Sequence, residues 1–176
     1  MTAGRDRPIL IGLGANLPSR FGPPRATCEA AVAALEAEGL RVVRRSRWYE
    51  SAPVPASDQP WYVNGVVEVE TALTPEALLA LLHRVEACFG RERRERNEPR
   101  VIDLDLLAYG SRVNDGPAPP LLPHPRAVER GFVLLPLRDV APDWVDPRSG
   151  RPLDALIAAL PARQITRPLD GEARMG

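Results

Sequence analysis

The order of apolar segments predicts an α+β domain: an antiparallel sheet with two helices on one face, the split βαβ or ferredoxin-like arrangement βαββαβ, extended by C-terminal loops and short helices. Three observations carry this. Strand-like runs at 8–13, 40–50, 61–71 and 101–109 alternate with helical spacing at 25–38 and 75–89. The second and third strands follow one another across a loop, whereas a helix intervenes in each other strand pair. The 176 residues show no internal repeat, so residues 1–176 are read as one domain, with a core over about 8–144 and an extension over 145–176.

Each element has its own signal. Residues 8–13 (PILIGL) form a short buried strand, and 14–24 (GANLPSRFGPP) are turn-rich. Cys28, Ala31, Val32 and Leu35 recur at helical spacing until Gly39 stops them. Residues 40–50 make a twisted or irregular strand, and the three prolines of 51–60 dictate a loop. In the strand 61–71, Val63, Val67 and Val69 face one way; Tyr62, Asn64, Glu68 and Glu70 face the other. Thr74 and Pro75 supply an N-cap and an N1 proline for a helix that buries Leu78, Leu79, Leu82, Val85 and Phe89. Beyond 110 the chain reads as loops with helical turns. LDALIAAL (153–160) is one short helix, and the last ten or so residues are expected to be loose.

Composition narrows the chemistry. Formal net charge is zero, which opposes a dedicated nucleic-acid binder. No apolar run approaches the roughly 18 residues a membrane span needs. Cys28 and Cys88 fall in helical patterns and are read as reduced and buried, without metal-ligand spacing. The expectation is a cytoplasmic monomer. All 23 basic residues are arginine, so any phosphate chemistry runs on guanidinium, backbone amides and metal rather than on a lysine.

The most telling stretch is VIDLDLL (101–107), directly after the arginine-laden GRERRERNEPR (90–100). Asp103 and Asp105, two apart in a strand, share a face, with Cα atoms about 6.5–7 Å apart. Ile102, Leu104 and Leu106 take the other face. Carboxylates among apolar neighbours need compensation, which divalent cations supply, and the upstream arginines suit a phosphate. Three classes stay open on the residues alone: a nucleotide-using transferase, a two-metal phosphodiesterase and a ferredoxin-like nucleic-acid module. Neutral charge, Glu68, Glu70 and the aspartate pair weigh against the last.

Five spaced blocks (GANL, DQPWYVNGVVEVET, RVEACFGR, PRVIDLDLLAYG and LPHPRAVERGFVLLPL) together resemble 6-hydroxymethyl-7,8-dihydropterin pyrophosphokinase of folate biosynthesis over about residues 8–144. The resemblance implies transfer of the β,γ-pyrophosphoryl group of ATP to the pterin hydroxymethyl oxygen, with release of AMP. It implies that Asp103 and Asp105 hold two Mg²⁺ ions bridging the ATP phosphates, and that Arg91 and Arg100 bind phosphate. Arg93 and Arg94 stand where the family carries basic loop residues. His83, Glu86, Leu106, His124 and Arg130 are implied nucleotide contacts. Tyr62 and Phe132 are implied to sandwich the pterin, Asn64 to hydrogen-bond its edge, and the backbone of Ser51, Pro53 and Val54 to complete the pocket. Partners are then ATP and the pterin, with no nucleic acid and no membrane. Where the family often carries Trp-Gly, this chain has Asn97-Glu98, which removes a tryptophan seal from the loop.

Overall fold

The computed structural model describes residues 8–53, 58, 60–90, 101–162 and 164–169. In order, they form β1 (Ile9–Ala15), α1 (Pro24–Ala37), β2 (Arg41–Arg45), β3 (Tyr49–Ser51), β4 (Tyr62–Glu70), α2 (Pro75–Phe89), β5 (Asp103–Tyr109), a 3-10 turn (Ala127–Glu129), α3 (Gly131–Val140), α4 (Leu153–Ala158) and β6 (Thr166–Pro168). All strand pairings are antiparallel. The sheet runs β5-β1-β4-β3-β6, with β2 beside β3 on the same edge of β4. This is the ferredoxin-like order, with the irregular second strand resolved into two pieces. Ser46 carries the ladder across the break between them: its N–H donates to Val66 O, and its Oγ accepts the Val66 N–H, both at 2.9 Å.

Local chemistry sets the helix ends. Gly39, at φ 99°, closes α1: its N–H donates to Glu36 O, and the Leu40 N–H donates to Leu35 O. Thr74 Oγ1 accepts the Ala77 N–H at 3.1 Å to cap α2. The buried stripe of α2 is Leu78, Leu81, Leu82 and Val85; Leu79 is only half-buried, so Leu81 holds the place expected for it. Cys28 is buried, but Cys88 is exposed, contrary to expectation. In the last turn of α2 the core-facing place belongs to Phe89, which packs on the core margin and stacks on Phe21 at 4.8 Å.

Two cores flank the sheet. Ile11, Leu13, Val63, Val67, Leu104 and Leu106 meet α1 and α2 on one face. On the other, Leu10, Val66, Leu107 and Ala108 meet Val133, Leu134, Leu137 and Val140 of α3 and Leu153 and Leu156 of α4. The second face is therefore not open, as the sequence suggested, but half covered. The covering helix α3 is ten residues long, where only helical turns were expected, and accommodates Pro136 in its interior. The tail is also partly ordered: β6 adds to the sheet edge through Ser51 opposite Thr166 and Tyr49 opposite Pro168. No described helix is long and apolar enough to cross a membrane.

Candidate active site

The uncovered end of the second face is built in cross-strand rows. Gly14 lies between Asn64 of β4 and Asp103 of β5; Gly12 lies between Val66 and Asp105. Because side chains alternate along a strand, these six residues share a face. The glycines leave a floor without side chains between an acidic wall, Asp103 and Asp105, and a wall of Asn64 and Val66. A Cβ on Gly14 would come within 2.9 Å of Asn64 Nδ2, so the close approach of the amide requires glycine there.

Above this floor is a cavity of about 1000 Å³, lined by Asp103, Asp105, Tyr62, Asn64, Ser51, Arg130 and Phe132, among others. These seven residues, far apart in sequence, are brought together by the fold. Asn64 is buried at 5% exposure, and its Oδ1 accepts the Ser51 hydroxyl at 2.6 Å, which fixes the orientation of the amide. Burial, with the nearby Asp103 charge, pushes the Tyr62 phenol above its ordinary pKa. The Arg130 guanidinium sits 5.3 Å from the centre of the Phe132 ring.

His124 lies beside this group rather than on the cavity wall. Leu107 is a bulge: Leu10 pairs with Ala108 and Ile11 with Leu106, leaving Leu107 unmatched. Its carbonyl accepts the His124 N–H at 2.8 Å, and this places the imidazole within electrostatic reach of Asp105. Burial lowers the His124 pKa; Asp105 opposes that, while Arg130 and Arg126 add to it. His124 Nδ1 accepts the Arg126 N–H at 3.2 Å, so the neutral ring carries its proton on Nε2.

The remaining expected residues are placed differently. Leu106 is 3% exposed in the first core, so its side chain points away from the cavity. Glu86 Oε2 accepts the Leu104 N–H at 2.8 Å and ties α2 to the edge strand; His83 is exposed on the same helix. Pro53 is half-buried just past β3. Val54, Arg91, Arg93, Arg94 and Arg100 lie outside the described residues. Sequence reasoning missed Arg126, Arg151 and Gln164, which also line the cavity. Arg126 lies within the block LPHPRAVERGFVLLPL, two residues after His124, and could have been found there; Arg151 and Gln164 carry no motif signal, and only the packing of the extension brings them to the cavity.

Two carboxylates on one wall suit Mg²⁺, which keeps water ligands and takes phosphate oxygens rather than needing an all-protein cage. No group of three or more His, Cys, Asp or Glu that could hold a metal ion occurs among the described residues.

Comparison with known proteins gives a consistent result. Residues 10–142 match the model of the family described as 7,8-dihydro-6-hydroxymethylpterin-pyrophosphokinase. The chain is 43% identical over 149 residues to a 2-amino-4-hydroxy-6-hydroxymethyldihydropteridine pyrophosphokinase of Synechocystis, covering 84% of this chain and 73% of that one. It is 41% identical over 160 residues to the protein of the same name from Pseudomonas aeruginosa, covering 90% and 95% respectively. Among solved structures, the wild-type HPPK-DHPS of Plasmodium falciparum superposes with a TM-score of 0.64 at 12% identity, over 86% of this chain and 44% of that one. That likeness concerns the fold, and this chain spans less than half of that protein. On the family match and the two bacterial relatives, the chain belongs to the 7,8-dihydro-6-hydroxymethylpterin-pyrophosphokinase family.

Proposed function

We propose that this chain transfers the pyrophosphoryl group of ATP to the hydroxymethyl oxygen of 6-hydroxymethyl-7,8-dihydropterin, giving AMP and the pterin diphosphate in folate biosynthesis. The observation that carries the reading is one cavity in which Asp103 and Asp105 face Tyr62, Asn64 and Phe132 across the glycine floor. One wall suits a metal-bound polyphosphate, and the other suits a flat heterocycle with a polar edge.

The roles follow from placement. Asp103 and Asp105 would hold two Mg²⁺ ions with the ATP phosphates; once bound, the metal neutralises charge on the transferring group. Tyr62 and Phe132 present aromatic faces to the pterin. Asn64, pinned by Ser51, offers Nδ2 as a donor in fixed orientation. The Nε2–H of His124 and the guanidinium of Arg130 are donors suited to phosphate oxygens. Arg91, Arg93, Arg94 and Arg100 are assigned to the phosphates from sequence alone. Phosphoryl transfer depends on alignment and charge stabilisation more than on a strong base, and no described side chain identifies itself as that base.

We place the reaction in the cytoplasm, in a monomer whose partners are the two small substrates, with neither nucleic acid nor membrane. Zero net charge weighs against a nucleic-acid partner. The whole chain acts as one pyrophosphokinase domain whose extension contributes Arg151 and Gln164 to the cavity. The test is product analysis with ATP, Mg²⁺ and hydroxymethyl-dihydropterin. AMP is expected only when the pterin is present; AMP formed equally without it would indicate a hydrolase instead.

A further inference from the structure

The amide of Gln164 grips the two peptide groups that flank Arg130. Its Oε1 accepts the Gly131 N–H at 2.8 Å, and its Nε2 donates to the Glu129 carbonyl at 2.9 Å. Arg130 is the N-cap of α3 and offers no capping side chain. The first N–H of the helix is therefore satisfied by a side chain 33 residues further along the chain. Close packing accompanies the grip: a Cβ on Gly131 would lie 3.3 Å from Thr166 Oγ1 and 3.5 Å from Gln164 Oε1.

The tail that carries Gln164 is itself anchored. The Ala52 N–H donates to Ile165 O at 3.1 Å, the Leu169 N–H donates to Trp48 O at 3.0 Å, and β6 pairs with β3 between them. The segment thus runs from the start of α3 to the strand end where Ser51 lines the cavity, and Gln164 lines the cavity between them. With both adjoining peptide planes held, the backbone of Arg130 has one orientation, φ −121° and ψ 117°, from which its guanidinium reaches over Phe132.

We propose that Gln164 is a positioning residue for the transfer reaction: by holding the Glu129 carbonyl and the Gly131 N–H it fixes the aim of Arg130 into the cavity. The inference rests on the functional reading above. It extends that reading to a segment beyond the family match, which ends at residue 142. The alternative is that the amide is only a helix cap, contributing to stability and nothing else.

A double-mutant cycle separates the two. Gln164→Leu, Arg130→Ala and the double variant are compared with wild type by kcat/KM for the pterin and by urea unfolding. Gln164→Leu is expected to lower kcat/KM about tenfold in the wild-type background and less than about twofold when Arg130 is already alanine. An unchanged kcat/KM in Gln164→Leu overturns the proposal. So does an equal loss in both backgrounds, which would mean general loosening. Should Gln164→Leu fail to fold, Gln164→Glu keeps the acceptor for Gly131, removes the donor for Glu129, and is read on the same cycle. If the wild-type chain forms no AMP, the functional reading has failed. Affinity for a non-hydrolysable ATP analogue with Mg²⁺, measured across the same four proteins, then decides the role of Gln164 by the same criterion.

Discussion

Replacing Gly14 with alanine tests the floor of the site at a single atom. The added Cβ would lie 2.9 Å from Asn64 Nδ2, with Val63 O at an ordinary 3.9 Å, so the strain falls on one amide. That amide cannot move freely: it is 5% exposed, and its Oδ1 holds the Ser51 hydroxyl at 2.6 Å. Swinging it aside leaves a buried hydroxyl and amide oxygen badly paired, costing about 1–3 kcal/mol. Replacing glycine returns about 0.4–1 kcal/mol through the unfolded chain. The net expectation is a loss of about 1–2 kcal/mol, measured by urea unfolding. The functional effect should be selective. Asn64 faces the proposed pterin wall, so pterin affinity in the presence of a non-hydrolysable ATP analogue should fall about tenfold or more, equivalent to about 1.4 kcal/mol, by calorimetry. Affinity for the analogue itself should stay within about twofold. Gly12→Ala is the control: the three atoms nearest its Cβ are Leu107 side-chain carbons at 3.3–3.4 Å, away from the Asn64 amide, and pterin affinity should fall less. Pterin affinity untouched in Gly14→Ala, or lost equally with nucleotide affinity, would refute the assignment of Asn64.

Three further outcomes are expected. Asp103→Asn and Asp105→Asn should each lower turnover by about a thousandfold or more, some 4 kcal/mol, without lowering the thermal midpoint of the metal-free protein; near-normal AMP formation in either would remove that residue from the metal wall. Tyr49→Phe should cost about 1.5–3 kcal/mol in chemical denaturation, because the 2%-exposed phenol donates to Asp139 and accepts from Arg47 at 2.8 Å, tying β3 to α3. Glu29 contributes to acid sensitivity: burial raises its pKa, but the hydrogen bonds from Trp48 and Arg45 and the Arg45 and Arg25 charges outweigh it and hold the carboxyl below its ordinary range. A depressed carboxyl contributes stability above its unfolded pKa and loses it as pH falls through the folded one, so Glu29→Gln should flatten the decline in stability below about pH 4.5; an identical acid profile would count against this linkage.

Period and punctuation made much of the fold legible. The two helices over Cys28–Leu35 and Leu78–Phe89, the strand of Val63, Val67 and Val69, and the aspartate strand all lie where spacing placed them. What spacing could not reveal was the second core. Leu134, Leu137 and Val140 mark a helix face, but Pro136 in the same stretch reads as a breaker. Only the apolar patch of Leu10, Val66, Leu107 and Ala108 beneath it shows why the helix is worth forming despite the proline. The tail was illegible for a related reason. Thr166–Pro168 has little strand propensity of its own and is a strand because β3 offers it an edge.

The site itself lies on a gradient along β1 and β5, visible once register is known. The row through Leu10 sets it between Glu68 and Ala108, with Leu10 and Ala108 roofed by α3 and α4; the next sets Gly12 between Val66 and Asp105; the next sets Gly14 between Asn64 and Asp103. Moving along β1, side chains on this face shrink from leucine to glycine, while those on β5 turn from apolar Ala108 to acidic Asp105 and Asp103; β4 carries Glu68, Val66 and Asn64. The roof can bind the sheet only where apolar surface exists to bury, so it stops where the glycines begin. The cavity therefore needs no special device to stay open: filling it would bury Asp103, Asp105 and Asn64 against apolar side chains without adequate partners. The bulge at Leu107 works at this same boundary. It lets Leu107 and Ala108 both face the second core, and it turns the carbonyl that holds His124 beside Asp105. The residues that end the core are thus the residues that begin the site, which is why the most informative stretch of the sequence is the one where an apolar strand is interrupted by acids.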